Sequence, residues 1–435
     1  MYIIKPGIAP ARRLYQKGKN TTISRVFTCI LLAMPETLPN HALYLHIPFC
    51  RHRCAYCDFN TYAGLESLVD DYVEALCLEM SFAAKAAQTL ISIHTIFLGG
   101  GTPSLLSPAQ LERILQAAHA HFVWQPNIEI TMEANPGTLS LEYLRDVRGL
   151  GINRLSMGVQ STEAQDLRVL EREHDFFDVI QAVSSARLAG FQNISLDLIF
   201  GIPYQTLQSW QKTLRAALKL APDHFSLYSL ILEMGTPMEK WVGRGLLTAP
   251  DDDLAADMYE WAIEEMAQAG YYHYEISNWA ARPAASTPNV PLYDFRCQHN
   301  LQYWRYQPWL GLGAGAHGYV GDYRTANVLA PAAYIKRLRN GKPRTYPRTP
   351  ATVNVHPINT ASAQGETMMM GLRLLEEGVS NQRFVARFGE GIADAFPEQL
   401  RELFGYELLE WRDNDRLCLT ERGKMLGNQV FMRFV

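Results

Sequence analysis

From residue 41 to about 250, two textures of apolar and polar positions alternate along the chain. Short β-rich apolar runs occupy Leu43 to Phe49, His94 to Leu98, Ile128 to Asn135, Arg154 to Gln160, Ile194 to Phe200 and Phe225 to Leu232. Between them lie longer segments with apolar residues at helical spacing, at 68–88, 107–120, 140–149, 162–171 with 175–189, and 205–220. Ser107-Pro108 reads as an N-cap followed by proline at the first helical position. Strand and helix alternate six times, with helices long enough for right-handed crossovers. The pattern predicts an α/β fold, a partial (β/α)6 barrel whose working groups gather at the C-terminal strand ends. Periodicity alone serves a doubly wound open sheet equally well.

Beyond residue 250 the texture changes. Asp251 to Gln268 reads as an amphipathic helix, Tyr271 to Ile276 as a strand, and the Pro-rich stretch 282–291 as a loop. Residues 251–330 form an accessory segment, aromatic and glycine-rich between Cys297 and Tyr319, and 331–363 a linker. From 364 to 435, helices at 364–376, 380–388 and 396–404 and an alternating run Leu408 to Leu419 predict a small helical, winged-helix-like domain. It carries no basic stripe, so packing on the barrel is favoured over nucleic-acid binding.

Charge and composition narrow the class. The apolar fraction of 48% and charged fraction of 19% are those of a soluble globular protein, and no apolar run is long enough to span a bilayer. Seven cysteines without a disulfide-like framework point to a reducing, cytoplasmic setting. The net charge of −4 favours neither nucleic acid nor an anionic membrane, and leaves peripheral membrane contact open. That charge is uneven, because residues 1–33 hold Lys5, Arg12, Arg13, Lys17, Lys19 and Arg25 and no acid. The leader ends in Ile30-Leu31-Leu32-Ala33 before Met34, a second candidate start. Residues 1–40 are expected to lie outside the fold, disordered or not translated.

Chemistry concentrates at Cys50, Cys54 and Cys57, spaced C-x3-C-x2-C on a loop directly after the first apolar run. Three thiolates are one short of a tetrahedral zinc site, which His46, His52 or Asp58 would complete. They are equally one short of the four that fill an ordinary iron–sulfur cluster, leaving an open iron for a chelating small molecule. Incidental buried cysteines are the bland alternative. Further along, Gly99-Gly100-Gly101-Thr102-Pro103 ends the second run, where consecutive glycines let a ligand approach free backbone groups. Glu133 and Gln160 end the third and fourth runs, and Asp197 lies inside the fifth, where a carboxylate is costly unless paired. Arg172 is a candidate partner for Asp197 or for a bound carboxylate.

The cysteine spacing, with Tyr56 just before the last cysteine, resembles the signature of the radical S-adenosylmethionine (SAM) superfamily. From Tyr44 to Tyr319 the chain is similar to the family that holds oxygen-independent coproporphyrinogen III dehydrogenases and related haem chaperones. The resemblance implies a [4Fe-4S] cluster on Cys50, Cys54 and Cys57. It also implies a SAM pocket lined by Tyr44, Tyr56, Gly100, Gly101, Thr102, Glu133, Gln160, Arg172 and Asp197. The dehydrogenase branch carries a further cysteine where this chain has Phe59. In contrast, His299-Asn300-Leu-Gln-Tyr303-Trp304 looks like the haem-binding signature of the chaperone branch. An imidazole can ligate haem iron, and Tyr and Trp offer flat apolar surface to a porphyrin. His317 is a weaker candidate for that pocket, and without the family His299 reads as an ordinary hydrogen-bonded histidine. The resemblance thus implies haem binding and transfer to an acceptor protein, with an electron donor for the cluster. Oxidative decarboxylation of coproporphyrinogen III is the alternative, and whether the chain turns over a substrate is left open.

Overall fold

The computed structural model describes residues 40–282 and 294–435. The leader expectation for 1–39 and most of the Pro-rich loop fall outside them. Asn40 already belongs to the first strand, β1 (Asn40–Ile47). The alternation then runs α1 (Val69–Ala87), β2 (Ser92–Gly100), α2 (Pro108–His121), β3 (Val123–Ala134) and α3 (Leu141–Gly149). It continues through β4 (Arg154–Gln160), α4 (Ala164–Val169), α5 (Phe176–Leu188), β5 (Ile194–Phe200), α6 (Leu207–Leu218) and β6 (His224–Ser229). Local chemistry sets these boundaries. Ser107 and Gln110 form a reciprocal capping box at the start of α2 with Pro108 at its first position. Asp175 and Thr206 head α5 and α6 in the same way.

Strands β1 to β6 pair in parallel and in sequence order. Being covered on both faces, they are apolar almost throughout: β1 buries Leu43, Leu45 and Ile47 completely. Each such side chain is worth roughly 1.5–3 kcal/mol against exposure. Two additions extend the predicted six. After α7 (Pro237–Gly243) and α8 (Asp252–Gln268), strands β7 (Tyr271–Glu275) and β8 (Asn278–Ala281) fold back antiparallel beside β6. After α9 (Gln298–Trp304), strand β9 (Trp309–Leu312) joins β1 in parallel. From it an antiparallel meander runs through β10 (His317–Val320), β11 (Tyr323–Asn327) and β12 (Thr352–Pro357). The sheet order is therefore β12-β11-β10-β9-β1-β2-β3-β4-β5-β6-β8-β7. The accessory segment thus borders the barrel on both edges.

Residues 331–363 differ from the expected linker. They hold α10 (Pro331–Arg339) and β12. Pro331 sits at the first helical position, where it breaks nothing, and β12 is a sheet edge ending in Pro357, where a missing N–H is harmless. The C-terminal region starts with α11 (Thr360–Gly371) and includes the hairpin Leu409–Arg412 with Arg416–Leu419, joined by Val379–Ser380. Leu372, Phe384, Leu400, Leu417 and Phe431 build its own apolar core. Ion pairs from Arg305 and Arg296 to Glu377, and from Arg324 to Glu366, join it to the accessory segment. No helix among the described residues is long and apolar enough to cross a membrane.

Candidate functional site

The C-terminal ends of β1 to β6 open into a cavity of about 620 Å³. Its floor is built by two turns that interlock. After Ile47, Pro48 interrupts β1, and Phe49–Cys50 pairs with Tyr62–Ala63 to close the cysteine loop at its base. The Gly99-Gly100-Gly101 turn docks on that base, with Gly101 N–H donating to Ile47 O at 2.8 Å and Thr102 N–H to Phe49 O at 2.8 Å. A Cβ on Gly101 would stand 2.6 Å from Phe49 O, and Gly100, at φ +112°, lies against the His46 ring. The glycines are required by backbone packing. Their expected free N–H groups are therefore spent: Gly101 bonds Ile47, and Gly100 N–H donates to Glu133 Oε2 at 2.9 Å.

Cys50, Cys54 and Cys57 are unpaired thiols, each half-buried in the cavity wall. Each has a polar neighbour. Thr102 Oγ1 lies 3.6 Å from Cys50, Arg172 Nη1 3.5 Å from Cys54, and Thr61 Oγ1 3.9 Å from Cys57. Burial raises the Cys50 and Cys57 thiols. A lone zinc would need a fourth protein donor beside these three thiols to close a tetrahedral set. Three thiols, each with a hydrogen-bond donor and facing open volume, fit a larger cluster with one free corner.

Around that corner stand the other candidates. Glu133 is pushed up to about 7, mainly by burial, with Asp197 adding to the shift while Gly100 N–H and Arg154 oppose it. Gln160 ends β4 at φ +66°, in the left-handed region, where the β4–β5 register shifts. A side chain held there by a bulge is aimed by strain that the sheet sustains. Arg172 Nη2 donates to Gly158 O at 2.8 Å, and its Nε is buried without a partner. Asn135 Oδ1 and His174 Nδ1, both lining the cavity, are likewise buried and unpartnered. A polar ligand would satisfy such orphaned atoms. Asp197 accepts from Ser156 Oγ at 3.0 Å and Ser195 Oγ at 3.3 Å, and burial raises it.

Two expected placements change. Arg172 does not pair with Asp197. It is committed to Gly158 and Cys54, and the cation felt by Asp197 is the buried Arg154. Tyr44 does not line the cavity; its hydroxyl bonds His46 Nδ1 at 2.9 Å, and His46 Nε2 bonds Asn60 O at 2.9 Å, behind the glycine turn. Tyr56, Gly100, Gly101, Thr102, Glu133, Gln160, Arg172 and Asp197 do line it. Sequence reasoning missed Arg154, Asn135, Ser156 and His174. Only Arg154 left a signal, a charge opening an apolar run.

The expected haem residues lie elsewhere. His299 is buried on α9, with Nδ1 2.9 Å from Thr95 Oγ1 and Nε2 2.8 Å from Tyr303 OH. Burial lowers its pKa to about 3, so it is neutral, and neither ring nitrogen is free for iron. Glu129 accepts from the backbone N–H groups of Gln298 and His299 and so anchors the start of α9. Trp304 stacks on the Arg373 guanidinium, 4.4 Å from its ring centroid. Asn300, Trp304 and the exposed His317 also lie off the cavity lining.

The fold and the cysteine-bearing cavity define a radical SAM protein, and the description "Radical SAM superfamily" matches residues 44–217. "HemN C-terminal domain" matches 365–426. A "Heme chaperone HemW" of Bacillus subtilis is 38% identical, covering 90% of this chain and 98% of that one. Another of Lactococcus lactis is 36% identical, covering 91% and 97%. The zebrafish (Danio rerio) "Radical S-adenosyl methionine domain-containing protein 1, mitochondrial" is 35% identical over 89% of this chain and 84% of its own. The chain belongs to the HemW family. Among solved structures, Escherichia coli coproporphyrinogen III oxidase (HemN) superposes with a TM-score of 0.76 at 24% identity, covering 94% of this chain and 92% of that one. At that identity the likeness is one of fold.

Proposed function

We propose that the protein is a cytoplasmic haem chaperone that carries a [4Fe-4S] cluster, binds SAM, and passes haem to an acceptor protein. Cys50, Cys54 and Cys57 would hold the cluster, leaving room in the cavity for SAM beside it. When bound, the cluster supplies an electron for reductive cleavage of SAM, drawn from an external donor. Everything else is done by the chain's own groups. Glu133, charged once its proton is lost, would face the cationic part of SAM, and Asp197 would accept from ribose hydroxyls. Arg172 holds the Cys54 sulfur and the Gly158 carbonyl in register. The observation that carries the reading is the similarity to heme chaperones over nine-tenths of the chain. HemN supports decarboxylation only as a relative in fold. Anaerobically reconstituted protein given coproporphyrinogen III, SAM and a reductant is expected to form no protoporphyrinogen. Turnover at a rate matching SAM cleavage would sink the chaperone reading.

A further inference from the structure

Phe59 stands two residues past the last cysteine, 64% exposed, and lines the cavity. A single exposed phenylalanine is unremarked on most surfaces. The same cavity is lined by two further exposed apolar groups: Tyr228, 42% exposed near the end of β6, and Ile231, 62% exposed, just after it. Exposed apolar side chains lining a polar cavity are a binding-surface signal. The cluster loop also carries Arg51, His52 and Arg53, which are exposed and line the same cavity. Arg51 has no hydrogen-bond or ion-pair partner among the described residues, and Arg53 Nη2 donates to Cys57 O at 3.1 Å. On this loop the two guanidiniums outnumber the one carboxylate, Asp58. The other acidic lining groups, Glu133, Glu171, Glu173, Asp178, Asp197 and Glu233, stand elsewhere on the chain. The cysteine loop therefore contributes an exposed aromatic ring and two guanidiniums to the lining.

We propose that haem docks at this mouth, with its macrocycle against Phe59, Tyr228 and Ile231, its propionates on Arg51 and Arg53, and the His52 imidazole available to its iron. The proposal rests on the haem-chaperone reading and gives that function a place. Haem is a flat apolar body with two carboxylates on one edge, which matches an apolar mouth with cations on one side. His52 Nε2 lies 3.6 Å from Glu171 Oε2 and its other ring nitrogen makes no hydrogen bond among the described residues. His299, by contrast, has both nitrogens engaged inside the fold.

The test is haemin titration of the cluster-loaded full chain, followed by Soret absorbance. Phe59→Ser with Ile231→Ser, and Arg51→Ala with Arg53→Ala, are each expected to weaken haemin binding at least about tenfold while iron and sulfide content is retained. His52→Ala is expected to move the Soret maximum, and His299→Ala to leave its position unchanged. In the unsubstituted protein, haemin is expected to protect His52 from diethyl pyrocarbonate, read by peptide mass spectrometry, whatever the variants do to folding. Unchanged His52 modification in the haem-bound protein, or rim variants that bind as the parent does, would overturn the placement. Absence of any Soret change in the parent chain would instead remove the chaperone reading.

Discussion

A single carboxylate carries much of the site's pH behaviour. Glu133 is held up to about 7 by burial, so it enters the folded protein protonated below that pH. Its contribution to stability is full below the ordinary carboxylate range and is lost as pH rises through about 7. SAM carries a sulfonium cation, which favours the charged form. SAM affinity of the cluster-loaded protein is therefore expected to rise about tenfold from pH 6 to pH 8, and Glu133→Gln to flatten that dependence. Equilibrium dialysis across the range checks it; a pH-independent parent would contradict the assignment. At His299 the expectation concerns stability. His299→Ala leaves the Thr95 and Tyr303 hydroxyls buried without their partner, at a cost of about 1–3 kcal/mol in urea unfolding. Residue chemistry was legible where spacing exposed it, as with the cysteines and Glu133. It was not legible at His299, because a motif gives residue types but not which way a helix faces. Arg154 was hidden for a similar reason: its value lies in the carboxylates that neighbouring strands bring to it.

The glycine turn and the cysteine loop work as a unit at the scale of elements. Gly101→Ala would push a methyl into Phe49 O and Ile47 O, which are backbone atoms and cannot turn aside. It is expected to destabilise the chain by roughly 1–3 kcal/mol and to lower iron incorporation, read together by thermal unfolding and iron analysis. Gly101 holds no positive φ, so the cost read is that of the close contact. Most strands and helices of the barrel were legible because parallel strands read as unbroken apolar runs and capped helices announce their starts. Arg154–Gln160 and Ile194–Phe200 fall where the pattern puts them. The 331–363 segment was misread because proline and threonine mark both linkers and edge strands, and only pairing with β11 decides between them.

Over the whole molecule, the parallel strands bring groups scattered from Cys50 to Asp197 to one end of the sheet. The accessory segment adds β9 beside β1, a pairing between residues more than 260 positions apart. No local pattern encodes such a pairing, and it was not foreseen. Family resemblance gave the six-stranded barrel and the cofactors. The interlock of Gly101 with Ile47, the anchoring of α9 by Glu129 and the exposed mouth at Phe59 belong to the three-dimensional arrangement. The most direct measurement is electron paramagnetic resonance of the anaerobic, dithionite-reduced protein before and after SAM, with iron and sulfide analysis of the same sample. About four irons and four sulfides per chain, and a reduced-cluster spectrum that SAM changes, are the expected result. A cluster that survives replacement of Cys50, Cys54 and Cys57 by alanine, or a spectrum that SAM leaves unchanged, would contradict it.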